Sequence, residues 1–334
     1  MGESPASLDH AIAFADSLGL RFPIFQAPIG SIAGPELAAA VSQAGGLGAL
    51  ALTWTSPDEA RRLIGMVRAQ TDRPFQANFV LAFEPKSLAT ALESGVRVVT
   101  FSWGMPVREI ELARSFGARC GIQATTVEGA RRALDLGADF VICQGAEAGG
   151  HVQATQSLWA SLPRIVEVAR GTPVVAAGGI GDGRTMARAW SLGAAATMLG
   201  TRFVATQESL AHELYKRRLV EAGARDTALT VCFDGGWPYA AHRVLRNSTL
   251  ESWEAAGCPP HGRRPGEGDR LASCDGRDYF RYDDAPPRAA MSGNAEAMCM
   301  YSGTSCEDIR DLPAVAELVK RLWSECQTAD PASA

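Results

Sequence analysis

Three stretches of this 334-residue sequence hold residue types that could do chemistry. Gly178-Gly179 lies in AAGGIGDG (176–183), and Gly200-Thr201 lies in MLGTR (198–202). Each pair follows a short apolar run and precedes a helix-like stretch. Bare backbone N–H groups at the start of a helix face an anion well, and a threonine hydroxyl adds a donor. One Gly-rich turn would be only a turn, but two in consecutive strand–helix units predict a phosphate site. The third stretch is QGAEAGGHVQ (144–153), which contains His151. A histidine flanked by glycines can approach a ligand closely, and imidazole is the natural base near neutral pH. The plainer reading is a histidine that caps a loop, and placement alone leaves both open.

Other chemistries lack their residues. The first apolar run is followed by Pro28-Ile29-Gly30, without the Gly-rich turn and later acid of a dinucleotide fingerprint. No Ser/His/Asp or Cys/His order, paired carboxylates or strand-end lysine points to an acyl-enzyme, a glycosidase or a Schiff base. The eight cysteines and five histidines form no C-x-x-C pair and no ligand spacing, so no metal is expected. Cys120 and Cys143 sit inside apolar runs and read as small buried hydrophobes, and a reducing compartment is implied. What remains is a base beside a phosphate-anchored mononucleotide, a description that FMN fits.

The elements that must position these residues are regular. Eight apolar runs (22–28, 47–53, 75–81, 96–103, 118–124, 138–145, 172–179 and 194–201) are too short for helices and apolar on both faces. That pattern belongs to parallel strands buried on both sides. Pro35, Pro57, Pro85 and Pro106 precede or open the intervening helices, and Asp182 stands before the seventh. Gly46, Gly95, Gly117, Gly137 and Gly193 are expected to close five of them in the left-handed C-cap. The count of eight favours a (βα)8 TIM barrel over a doubly wound open sheet, with the site at the C-terminal strand ends. From 224 to 304 the regularity fails in Pro, Gly and Arg clusters. This region is expected to be a cap inserted after the eighth strand, with the barrel in 1–223 plus 305–330 and a closing helix over 312–326.

Around the site, Glu147 reads as a loop brace in preference to an acid that orients His151. Trp54 and Trp103 either wall a pocket or pack in the core. His10, His212, His242 and His261 are expected to be structural or solvated. The formal charge of −5 gives no general attraction to nucleic acid or to an anionic membrane, and no apolar run approaches the ~20 residues of a span. The N-terminal stretch is acidic where a signal peptide is basic, and Gly2 meets a myristoylation pattern only in part because Ala6 stands at its Ser/Thr position. A soluble, cytoplasmic protein is expected.

Taken together, QAPIGS (26–31), the strand carrying Asn78, QGAEAGGH, AAGGIGDG and MLGTRF resemble the nitronate monooxygenase (2-nitropropane dioxygenase) family. The resemblance runs in order along nearly the whole chain, through RVLRNSTLESWEAAGCPPHGRRPGEGD and the tail Met300-Tyr301-Ser302-Gly303. It implies an FMN-dependent barrel that oxidises alkyl nitronates with O2 to a carbonyl compound and nitrite. Ala27, Pro28, Ile29 and Gly30 would lie along the flavin ring, and Asn78, Gln144, Gly149 and Gly150 would approach it. Gly178, Gly179, Met198, Leu199, Gly200 and Thr201 would hold the phosphate. His151 would be the catalytic base that removes the α-proton of a neutral nitroalkane. The chain departs from the family pattern at Gln153, where glycine is common, and at Ser302 and Thr304 in a tail that commonly reads Tyr-Ala-Gly-Gln. Both departures bear on substrate more than on cofactor. Related barrels with similar motifs are NADH-dependent enoyl-acyl-carrier-protein and quinone reductases, so an FMN-dependent NAD(P)H reductase of an enoyl thioester or quinone is the alternative. The expected partners are a small-molecule substrate and O2, with no nucleic acid and no membrane, and a homodimer is the expected assembly.

Overall fold

The computed structural model describes residues 6–330, so Gly2 lies outside the described residues. Eight short strands form one parallel sheet: β1 (Ile24–Gln26), β2 (Gly48–Ala51), β3 (Phe75–Val80), β4 (Val98–Ser102), β5 (Arg119–Ala124), β6 (Phe140–Gln144), β8 (Val174–Ala177) and β9 (Ala196–Leu199). A two-residue strand, β7 (Gly150–His151), lies between the sixth and the seventh of them. The order β1-β9-β8-β6-β5-β4-β3-β2 closes on itself, because Gln26 N donates to the Leu47 carbonyl and Leu47 N to that of Ile24, each at 2.9 Å. The eight apolar runs are these eight strands, and the (βα)8 barrel is the fold.

Helix α1 (Ala6–Ser17) precedes β1, and α2 (Pro35–Gln43), α3 (Pro57–Arg68), α4 (Leu88–Glu93), α5 (Glu109–Ser115), α6 (Val127–Asp135), α7 (Leu158–Ala169) and α8 (Gly183–Ser191) follow the first seven strands of the sheet in turn. Pro35 and Pro57 occupy the first helical position of α2 and α3, where a missing N–H costs nothing. Asp182 caps α8, accepting from Thr185 N while the Thr185 hydroxyl reaches back to the cap backbone. Between α2 and β2 the left-handed residue is Gly45 (φ +100°), not Gly46. Gly46 serves a different need, since a Cβ there would lie 2.6 Å from the Ile24 carbonyl oxygen. The other four expected C-cap glycines do have positive φ.

Hydrophobic packing closes the barrel at the N-terminal ends of its strands. There Phe14 of α1 meets Phe25 and Phe140, with ring centroids 6.0 and 5.6 Å apart, among Val98, Ile142 and Val175. Towards the other end polar side chains take over. Asn78 Nδ2 donates to Thr100 Oγ1 (3.1 Å), Thr100 Oγ1 to Gln76 Oε1 (3.0 Å), and Gln76 Nε2 to the Gln26 carbonyl (3.0 Å). Buried polar groups that satisfy one another hold strand ends rigidly without blocking the mouth.

Past β9 come α9 (Thr201–Val204) and α10 (Glu213–Glu221), and the region beyond them is more ordered than its composition suggests. β10 (Thr227–Thr230) and β11 (His242–Leu245) pair antiparallel, and β11 continues onto β7. α11 (Ser248–Ala255) follows, then a second small sheet of β12 (Arg270–Cys274), β13 (Arg277–Phe280) and β14 (Ser292–Gly293). The closing helix, α12 (Val315–Thr328), starts later than expected, with Leu312 and Pro313 outside it and Ala314 as its extended N-cap. It packs on α8, where Trp323 and Trp190 have ring centroids 5.9 Å apart, and its Glu325 carboxylate accepts from Gly183 N at the head of α8. No helix among the described residues is long and apolar enough to cross a membrane.

Candidate active site

The C-terminal strand ends bring most of the expected residues to one face. Ala27, Pro28 and Ile29 leave β1 half-buried, and Gly30 is exposed. Asn78 and Gln144 stand buried at the ends of β3 and β6. Gly178 and Gly179 follow β8 in the left-handed region (φ +98° and +68°), which an L-residue rarely adopts. A Cβ on Gly178 would meet Ala148 N at 2.9 Å, so the turn is seated under the loop that leaves β6. Met198 and Leu199 end β9 buried, and Gly200 faces nearly open space, with only the Ala27 Cβ in reach of a Cβ placed on it. Thr201 opens the next turn, its hydroxyl oxygen accepting from Gly303 N at 2.9 Å.

The tail expected from sequence to matter threads through this face. Thr304 N donates to the Glu147 carbonyl (3.0 Å), and Ser302 N donates to that of Arg243 (3.1 Å). A Cβ on Gly149 would lie 2.4 Å from Gly303 N. The tail is thus wedged between the loop after β6 and Thr201. Glu147 is the brace it was expected to be, its carboxylate accepting from Leu158 N at the head of α7 (2.9 Å). Arg243 of β11 pins the same loop, its guanidinium donating to the Ala146 carbonyl from Nε and Nη2.

His151 sits on β7, opposite His242 of β11. Of the two readings expected for His242, structural or solvated, the structural one fits: it is fully buried, its ring centroid 5.4 Å from that of His151. One His242 nitrogen, Nδ1, lies 2.9 Å from the Ala240 carbonyl, and Nε2 accepts from Phe233 N at 3.2 Å. These contacts require the neutral tautomer protonated on Nδ1. Burial pushes its pKa down, opposed by the Ala240 bond and by Asp234. His10 is exposed, His212 caps α10 through its ring, and His261 is paired with Glu267 on the surface.

The His151 ring is packed by Trp237 (4.5 Å between centroids), Tyr301 (5.6 Å) and Trp103 (6.3 Å). Burial, helped by His242, lowers its pKa to about 3. Its Nε2 is buried without a hydrogen-bond partner. A buried unpaired imidazole nitrogen costs stability unless something else uses it. The ring is therefore uncharged, and in the tautomer protonated on Nδ1 its Nε2 is a free proton acceptor at the barrel mouth. Trp54 is 61% exposed and Trp103 half-buried, so both line the mouth and neither belongs to the core.

These depressed values make stability pH-dependent. Unfolded, His151 takes up a proton near pH 6.5; folded, only near 3. Between those values the unfolded chain binds more protons, so stability is complete above pH 6.5 and declines as pH falls, by about 2 kcal/mol at pH 5 for His151 alone. Asp308, held up at about 6 by burial and Asp182, acts in the opposite sense, but it does so equally in a variant. Urea unfolding of His151→Asn is expected to lose about 2 kcal/mol less than the wild type between pH 8 and pH 5. Equal losses would show that the ring does not resist protonation.

Sequence reasoning missed Trp237, His242 and Arg243, which lie in a region read as irregular. The available signal was the short run His242-Arg243-Val244-Leu245 after WPY, which is long enough for one strand.

Comparison with known proteins agrees with this fold. The family described as nitronate monooxygenase matches residues 13–88 and 83–325. A nitronate monooxygenase of Pseudomonas aeruginosa is 34% identical, over 93% of this chain and 98% of its own length. Among solved structures, FabK from Thermotoga maritima superposes with a TM-score of 0.79 at 30% identity, covering 94% of this chain and 96% of its own. A nitroalkane oxidase from Streptomyces ansochromogenes does so at 0.76 and 30%, covering 96% and 100%.

Proposed function

Because the chain belongs to the nitronate monooxygenase family, we propose that it oxidises nitronates with O2 to a carbonyl compound and nitrite, using FMN held at the barrel mouth. The observation that carries this reading is His151 Nε2, a buried, unpaired and uncharged acceptor beside a glycine-lined cradle. Gly200, where a Cβ would project into nearly open space, and the side-chain-free Gly178–Gly179 turn leave bare backbone N–H groups that suit a phosphate bound at close range. In this reading Gly178, Gly179, Met198, Leu199, Gly200 and Thr201 hold the phosphate. Ala27, Pro28, Ile29 and Gly30 lie along the ring, and Asn78, Gln144, Gly149 and Gly150 approach its polar edge.

FMN supplies the electron chemistry when bound, and the protein supplies orientation. A nitronate is already an anion that yields an electron readily. Two nitronates and one O2 contain the atoms and charge of two carbonyl products and two nitrites, so no outside reductant is required. The side chains hold the substrate against the mouth, keep water out with the aromatic rings around His151, and leave Nε2 free to take the α-proton of a neutral nitro compound. Unpaired thiols at all eight cysteines agree with a reducing compartment, and we place the enzyme in the cytoplasm, with a homodimer as its expected assembly.

The structural likeness to FabK favours one other reading, an FMN-dependent NAD(P)H reductase of an enoyl thioester or quinone. Anaerobic stopped-flow mixing separates the two. A nitronate is expected to bleach the bound flavin within the turnover time, while NADH does not. Rapid bleaching by NADH with no response to nitronate would overturn the nitronate reading, and a protein that binds no flavin would overturn both.

A further inference from the structure

We propose that this site selects nitronates bearing a flat, arene-sized group, which stacks on a wall formed by Trp54, Phe83, Trp103 and Trp237. The proposal rests on the nitronate reading above and deepens it. The four rings come from separate segments, three following β2, β3 and β4 and one in the loop between β10 and β11. They nevertheless form one connected row, Trp54–Phe83–Trp237, that ends at His151, with Trp103 packed beside Trp237. Centroids are 5.1 Å apart for Trp54–Phe83, 5.2 Å for Phe83–Trp237, 4.5 Å for Trp103–Trp237 and 4.5 Å for Trp237–His151. Successive rings are edge-on or tilted, so the row offers both faces and edges to another π-system.

The wall is held in place before any ligand arrives. Trp103 has φ +57°, a strained conformation for a bulky residue that persists only where the surroundings impose it. Gln153 is the side chain that bonds its backbone there. Its Oε1 accepts from Trp103 N (3.2 Å) and from Gln123 Nε2 (2.9 Å). Gln153 N in turn donates to Gln144 Oε1 (3.0 Å), and Gln144 Nε2 donates to the His151 carbonyl (3.3 Å). One amide network therefore sets both the acceptor and the ring beside it. A glycine at 153 would have no side chain to do this, which gives the departure from the family pattern a physical role. The Trp237 loop is anchored separately. Asp234 accepts two bonds from the Arg264 guanidinium (2.6 and 2.7 Å), and Trp237 N donates to the Asp234 carbonyl.

A pre-ordered wall costs little to use, and an arene covers ring surface that a short alkyl chain leaves wet. His151 and His242 are uncharged and so offer no partner to a charged tail, and Asp234 and Arg264 beside the wall are engaged with each other. The substrate's charge belongs on its nitronate end.

The test uses flavin-loaded enzyme with the phenylnitromethane anion and ethylnitronate, read as nitrite release. Nitrobenzene, which has no α-proton and is not oxidised by this route, serves as a binding probe through tryptophan fluorescence quenching. The wild type is expected to prefer the aryl substrate at least tenfold in kcat/KM. Trp237→Leu is expected to lower that aryl-to-alkyl ratio at least tenfold and to weaken nitrobenzene binding in parallel. Gln153→Met, which removes the acceptor but no ring, is expected to shift the ratio in the same direction. A wild-type ratio within twofold of one, or a Trp237→Leu enzyme that loses both substrates equally, overturns the wall while the nitronate reaction stands. Trp237-dependent nitrobenzene binding with no nitrite from either substrate supports the wall and overturns the nitronate reaction.

Discussion

Gly179→Asp is expected to fold, purify and contain no flavin. Gly179 has φ +68°, and a Cβ there would approach the Glu147 Cβ at 3.0 Å and its Cγ at 3.3 Å. Aspartate tolerates the left-handed region better than most residues, so the backbone survives, and the new carboxylate is the decisive change. It places a negative charge where the proposal places a phosphate, beside the existing Glu147. Two unit charges about 4 Å apart at an effective dielectric constant near 20 repel by about 4 kcal/mol, on the order of 10³-fold in affinity. The barrel itself does not depend on this position, because α8 begins later and carries its own cap at Asp182. The measurement is visible flavin absorbance after gel filtration, with circular dichroism reporting the fold. Gly179→Ala separates the steric part from the charge and should retain more flavin. A yellow, stoichiometrically loaded Gly179→Asp protein would remove the phosphate from this turn.

The barrel was legible because its determinants are local. A strand buried on both faces must be apolar at consecutive positions, and a helix that stops before a strand needs a left-handed residue, so runs and glycines mark the period. Even the slip from Gly46 to Gly45 is instructive. In a Gly-Gly pair either residue can take positive φ, and the choice fell to the second constraint, the 2.6 Å approach of a Gly46 Cβ to the Ile24 carbonyl oxygen. Glu147 was legible as a brace from its place in a Gly-rich loop, although the partner it reaches, Leu158 N at the head of α7, lies eleven residues on.

The inserted region was not legible, because its burial is conditional. His242 is a polar residue with no exposed surface, stable there only because Ala240 and Phe233 satisfy both ring nitrogens. Without those partners burial of the ring would be costly, and no composition rule supplies partners. Trp237 is similar. Its contact with His151 depends on a loop tied down by Arg264, thirty residues beyond Asp234. Spacing could identify His151, but what surrounds it arrives from three distant segments.

His151→Asn is expected to separate two forms of one substrate. Asparagine keeps a polar side chain of similar reach but cannot take up a proton. Removing a positioned base typically costs 10²–10⁴-fold, so oxidation of a freshly dissolved neutral nitroalkane should fall by at least roughly 10²-fold. The same compound pre-equilibrated in base enters as the nitronate, has no proton to lose, and should fall by no more than about threefold. The pKa of about 3 sharpens the expectation for the wild type. His151 is already unprotonated throughout the neutral range, so activity on the neutral substrate should show no acid limb near pH 6.5. A base so hard to protonate also has less driving force for proton removal, which makes the preformed nitronate the faster substrate for the wild type as well. Initial rates of nitrite release for both forms, in both proteins, between pH 5 and pH 8, contain all three comparisons. Equal losses on the two forms would mean that the ring shapes the site without accepting the proton. A limb near 6.5 would mean that His151 titrates as an ordinary solvated imidazole, which its packing against Trp237 and His242 does not allow.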